Sequence, residues 1–72
     1  MQVVELTVAE TSRAAGRELR ALRLPAETLI LSVSRNGSDI LARGDITIQS
    51  GDGVIAIAAL DAVAKLEEVL GG

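Results

Sequence analysis

The side chains able to do chemistry in this 72-residue chain are few, and arginine dominates them: six of the seven basic residues are Arg, and histidine and cysteine are absent. Nucleophilic catalysis needs a hydroxyl, thiol or amine beside a base. Serines and threonines are present with no imidazole or thiol to serve them, and the single amine, Lys65, falls on the polar side of an expected helix as a solvated charge. Paired carboxylates are the other acid–base option, but Asp45 and Asp52 each follow a glycine, which is turn chemistry. A hard cation wants more oxygen ligands than two aspartates supply. We expect no enzymatic activity and no metal site.

Arginine offers something else, because its planar guanidinium can hold a carboxylate, a phosphate or a base in a fixed fork. Arg13, Arg17 and Arg20 recur at helical spacing and read as a solvated helix face beside Glu10 and Glu18. Arg35 and Arg43 differ, since they stand at the two ends of one hairpin pattern, LILSVSRNGSDILARGD, from Leu29 to Asp45. They are either charges guarding a sheet edge against misassociation, or two cations flanking a groove that a symmetric partner completes. The residues alone leave both readings open. Three short matches carry no weight: RGD at Arg43 to Asp45, NGS at Asn36 to Ser38, and GDG at Gly51 to Gly53, which precedes a strand pattern rather than a helix.

The elements that would position these residues follow from periodicity. In VVELTV, Val4, Leu6 and Val8 alternate with Val3, Glu5 and Thr7, the pattern of a half-buried strand. Thr11 and Ser12 offer cap hydroxyls for a helix over residues 13–22, with Ala15, Leu19 and Leu22 on one face. Gly16 inside it marks a close approach to another backbone, and Leu24-Pro25 ends it. A second strand runs over residues 29–35, and Asn36-Gly37 is a strong type I′ turn signal. With a two-residue loop, Arg35 faces Ser38, Val33 faces Ile40 and Leu31 faces Ala42. That register puts Leu31, Val33, Ile40 and Ala42 on the core face. Ser32, Ser34, Asp39 and Leu41 take the other, with Ile30 and Arg43 paired at its end. Residues 46–49 form a further short strand, VIAIAAL from Val54 is buried, and Asp61 caps a final helix. There Ala62, Val63, Leu66, Val69 and Leu70 share a stripe while Lys65, Glu67 and Glu68 face out.

The totals bound the answer. Hydrophobic residues make 49% of the chain with no aromatic among them, so the core is built from small and aliphatic side chains. A core of this size seldom yields more than roughly 3–5 kcal/mol without a disulfide, a metal or a partner subunit. With no cysteine and no metal cage in the sequence, we expect a homodimer. A formal charge of −3 and the lack of stacking aromatics argue against a nucleic-acid partner. The opening MQVVELTVAE has no positive n-region, so no signal peptide is expected, and no apolar run reaches the roughly 20 residues of a membrane helix.

The run from Ser12 to Ala58, SRAAGRELRALRLPAETLILSVSRNGSDILARGDITIQSGDGVIAIA, resembles the TrkA-C domain, also called the RCK C-terminal subdomain. Gly16, Leu19 and Leu22, then LRLP, LILSVSRNG, Gly44-Asp45 and Gly51-Asp52 carry the likeness in order and spacing, over about Val3 to Leu70. Two departures are Ala42, where the family often has proline, and Gly53, where it has a larger residue. Residue patterns and resemblance together imply one small α/β (α+β) domain over residues 1–72, of order β-α-β-β-(β)-β-α, with its sheet packed against two helices.

The resemblance further implies a cytoplasmic regulatory module of a potassium channel or transporter, or of a related ion transport protein. Such a module reaches the cytoplasmic face of the membrane through a parent or partner protein. In the family these subdomains pair about a two-fold axis, and some members bind cyclic di-AMP across the pair. No cofactor is expected within this domain, cyclic di-AMP being the ligand to consider. Arg35 matches the arginine after the second strand that contacts nucleotide in ligand-binding relatives. Asn36, Arg43, Ile30 and Ser32 join it as candidate ligand-binding residues by their place on the hairpin. The alternative is a purely structural dimerisation module that binds no ligand.

Overall fold

The computed structural model describes residues 1–71. Strands β1 (Gln2–Thr7), β2 (Thr28–Arg35), β3 (Ser38–Leu41) and β4 (Gly53–Ala58) form one antiparallel sheet in the order β1-β4-β2-β3. Helix α1 (Val63–Leu70) follows β4 through a 3-10 turn at Leu60–Ala62. The α+β class therefore stands, with one helix on the sheet instead of two.

Why one face is covered can be read from β4. Val54, Ala56 and Ala58 point to it and are almost fully buried, while the alternate residues Ile55 and Ile57 are half-buried. On the covered side lie Leu66, Val69 and Leu70 of α1, with Val8, Ala14, Val33 and Ile48 completing the core. The expected stripe on the last helix is the one observed. Its cap is not: Asp61 lies in the 3-10 turn and its side chain caps nothing. At the other end the exposed carbonyls of the last turn are met from the β1 side. The Ala9 N–H donates to Leu70 O at 3.2 Å, and the buried Ser12 hydroxyl donates to Val69 O at 2.8 Å.

The expected helix over residues 13–22 is absent. Ser12 does accept the Ala14 N–H, at 3.0 Å, but the next residues form a pair of turns rather than a helix. The reason is Gly16, which sits at φ +87°, outside any right-handed helix. A Cβ there would meet nothing within 4 Å, so this glycine serves the backbone angle and not a close approach. Beyond it the chain extends and lies antiparallel to the expected short strand. The Gly16 N–H donates to Ile48 O at 2.7 Å, Ile48 N–H to Arg17 O at 2.8 Å, and Leu19 N–H to Ile46 O at 2.9 Å. Residues 46–49 thus pair with this segment, through the bridge Glu18–Thr47, and do not join the sheet. A 3-10 turn at Leu19–Ala21 completes the connection. Ala15, Leu19 and Leu22 still pack on the core. The burial pattern is helical in spacing; the path is not.

The hairpin forms as expected near its turn. Asn36 and Gly37 adopt φ +53° and +79°, and Arg35 pairs with Ser38, Val33 with Ile40. Farther along it departs. The ladder ends at Ser32–Leu41, because the Arg43 N–H turns back onto Leu41 O at 2.8 Å. The pairs Leu31–Ala42 and Ile30–Arg43 are therefore not made. On its other edge β2 carries a bulge at Leu31, between the pairs Ile30–Ala56 and Ser32–Ile55. Leu31 is consequently 41% exposed and not core. Ile30 moves to the covered side opposite buried Ala56, so it does not share a face with Ser32.

Candidate functional site

The register fixes what the uncovered face of the sheet presents. One row joins Val3, Ile57 and Leu29 across β1, β4 and β2. The next joins Glu5, Ile55, Ser32 and Leu41, and a third joins Thr7, Gly53, Ser34 and Asp39. The face therefore grades from apolar to polar along the strands. Val3, Leu29 and Leu41 are 67%, 61% and 74% exposed, although each belongs to a strand. The polar end is notched. An ideal Cβ on Gly53 would stand 2.6 Å from the Ser34 hydroxyl oxygen, and a hollow of about 230 Å³ opens there between Glu5, Thr7, Ser34, Gly53 and Ile55.

Arg35 lies at the end of β2, beside the turn, and its guanidinium is not free. Its Nε donates to Asp52 Oδ1 at 2.9 Å and its Nη2 to Asp52 Oδ2 at 2.7 Å, a two-pronged fork. Nη2 also donates to Thr47 O at 2.9 Å. The Gln49 N–H donates to Asp52 Oδ2 at 2.9 Å, which folds residues 49–52 into a turn around the carboxylate. The Asp52 side chain is 2% exposed, whereas that of Arg35 keeps 27% of its surface. The Arg35 fork holds the Asp52 carboxyl below its ordinary value near 3.8; burial opposes this, and the Gln49 amide and the nearby positive charge assist. Asp52 in turn raises Arg35, chiefly through the same hydrogen bonds. Arg35 is thus a locked, charge-compensated plane whose Nη1 donates to no group among the described residues.

The five residues expected to bind ligand are not brought together in one cavity. Arg35 is clamped at the turn end of the hairpin. Asn36 is exposed in the turn itself. Arg43 lies beyond the opposite end of β3, its side chain 66% exposed and Nε 3.6 Å from Asp45 Oδ1. Ser32 lies on the uncovered face and Ile30 on the covered one. None of the five lines the notch at Gly53. The partner that sequence reasoning missed is Asp52. It does make turn chemistry, but nothing in its spacing from Arg35 announces that the two loops meet. Among the described residues there is no group of three or more side chains suited to a metal, and no helix is long and apolar enough to cross a membrane.

Comparison with known proteins places this geometry. The chain is 34% identical over 71 residues to the Trk system potassium uptake protein TrkA homolog of Archaeoglobus fulgidus, covering 99% of this chain and 16% of that one. It is 31% identical over 67 residues to the TrkA homolog 1 of Methanosarcina mazei, covering 93% and 15%. It thus spans about a sixth of the length of these relatives. Its fold matches that of a structure described as an RCK domain with cda, at TM-score 0.85 and 21% identity over 97% of this chain and 99% of that one. The RCK_C domain dimer of S. agalactiae BusR in complex with c-di-AMP is similar, at TM-score 0.78 and 20% identity over 93% and 92%. So is BusR bound to its busAB-promoter DNA, at TM-score 0.80 and 20% identity, over 93% of this chain and 34% of the other. That last neighbour is bound to DNA, which conflicts with the expectation of no nucleic-acid partner. The TrkA-C domain profile matches residues 3–71. The chain belongs to the TrkA-C domain family.

Proposed function

We propose that this chain is a dimerising regulatory domain of a potassium uptake protein, working at the cytoplasmic side of the membrane and responding to a cyclic dinucleotide. The observation that carries the reading is the uncovered sheet face. A small core without aromatics leaves Val3, Leu29 and Leu41 in water, and a second copy laid on that face would bury them. A two-fold interface is self-complementary, so each hairpin end would occur twice around one cavity. The TrkA relatives supply the potassium uptake setting, and the RCK neighbours with cda and c-di-AMP supply the ligand class.

The clamp limits the role given to Arg35. Its charge is already answered by Asp52, so it offers a fixed plane for stacking on a base and one open edge for a phosphate oxygen, rather than a net positive charge. Asn36 beside it, Arg43 and Ser32 are the other contacts proposed, and Ile30 supports β2 from the covered side. A ligand shared by two copies would favour one angle between them by its differential affinity, with about 1–3 kcal/mol the usual scale of such coupling. The compensated Arg35 also favours a second reading, assembly without a ligand. Calorimetric titration of cyclic di-AMP separates the two. Saturable heat that weakens at least about tenfold in Arg35→Lys, with the circular dichroism unchanged, supports the first. Absence of heat supports the second.

A further inference from the structure

On the other side of the molecule from the uncovered sheet face, Arg13, Arg17, Arg23 and Lys65 line a hollow of about 430 Å³ whose remaining wall is Ala21, Leu22 and Val69. Four of the seven basic side chains of the chain meet here, and none of its ten acidic residues lines the space. Like charges brought together repel, and here they are largely unanswered. Among the described residues Arg13, Arg17 and Arg23 have no carboxylate within 4.0 Å, and Lys65 has only the exposed Glu68 at 3.8 Å. Arg20 makes the contrast: it belongs to the same segment, pairs with Glu18 at 3.1 Å, and does not line the hollow.

The backbone that presents Arg13 and Arg17 is tied to the rest of the fold by hydrogen bonds. The Ser12 hydroxyl ties it to α1 at Val69 O, and the bonds Gly16–Ile48 and Ile48–Arg17 fix it against residues 46–48. A helix over residues 13–22 would have arrayed Arg13, Arg17 and Arg20 along one solvated stripe. The observed path turns Arg13, Arg17 and Arg23 around a concavity instead.

We propose that this hollow is a second binding site, for a small phosphorylated molecule with a compact apolar part. Guanidinium forks grip phosphate oxygens in pairs, Leu22, Ala21 and Val69 give the apolar part a wall, and the volume is that of a small-molecule site. The site is separate from the sheet face and does not depend on the function proposed above.

The test is a nuclear magnetic resonance titration of the full chain with phenyl phosphate at constant ionic strength, phenol and sodium acetate serving as controls. The expected result is saturable shifts of amides in residues 13–17, 21–23 and 65–69, larger than any at Arg20, with neither control reproducing them. Arg17→Gln and Arg23→Gln each weaken binding about tenfold, and Arg20→Gln changes it less than about twofold. These side chains are not buried, so the variants keep the fold, and the unchanged spectrum elsewhere verifies it. Shifts that fail to saturate, that spread equally over Arg20 and Arg43, or that acetate matches would overturn the proposal and leave only diffuse attraction between ions.

Discussion

The two faces of the sheet share strands yet obey different rules. On the covered face Val33, Val54, Ala56 and Ala58 are within 1% of full burial in a core shared with Leu66, Val8, Ala14 and Ile48. On the uncovered face the alternate positions of those strands and their neighbours leave Val3, Leu29 and Leu41 more than half exposed. Alternation alone would make the second face polar, as in most antiparallel sheets with one solvated side. Here it is apolar at the Leu29 end, mixed in the middle row and polar near Gly53. A face that breaks the rule at one end and keeps it at the other is the pattern the proposed pairing requires.

Substitutions can break this contrast, beginning with the largest effect. Leu66→Ala, on the covered side, should destabilise the fold by about 2–5 kcal/mol, enough to unfold much of a domain this small. Chemical denaturation followed by circular dichroism would show it. Leu29→Ala, on the other side, should leave the stability of a dissociated copy nearly unchanged.

Asp52→Asn comes next, with a fall in Tm of roughly 5–10 °C at neutral pH as the fork to Arg35 is lost. Its sign with pH is set by the lowered Asp52. Because the carboxyl titrates lower in the folded chain than in the unfolded one, the stabilisation is fully present above the ordinary value near 3.8. It fades as pH falls through the depressed value. Thermal melts of parent and variant should therefore converge in acid and separate toward neutrality. A constant difference across that window would contradict the clamp.

Gly16→Ala is smaller, about 1–2 kcal/mol, because alanine must take the left-handed angle at φ +87° in otherwise open space. Its sharper use is diagnostic. If residues 13–22 were helical, the same change would stabilise the protein.

How much of this is legible in the sequence depends on whether the signal is local. The turn at Asn36-Gly37 and the stripe of α1 are readable, since each is decided by neighbours in the chain. The segment around Gly16 misleads because turns packed on a core can bury residues at helical spacing, and a single left-handed glycine redirects the path. Ile30 and Ser32 share a face in an unbroken hairpin, but the bulge at Leu31 separates them, and a bulge arises between strands far apart in sequence. The clamp from Arg35 to Asp52 is invisible for the same reason. Its two halves look separately like a surface charge and a turn residue.

The pairing of uncovered faces can be tried in one experiment. Sedimentation equilibrium with interference optics, suited to a chain without aromatic residues, should compare the parent with the double variant Leu29→Glu and Leu41→Glu. The expected result is a parent dimer at tens of micromolar and a variant monomer with an unaltered circular dichroism spectrum. A parent that sediments as a monomer, or a folded variant that still pairs, would contradict the shared face.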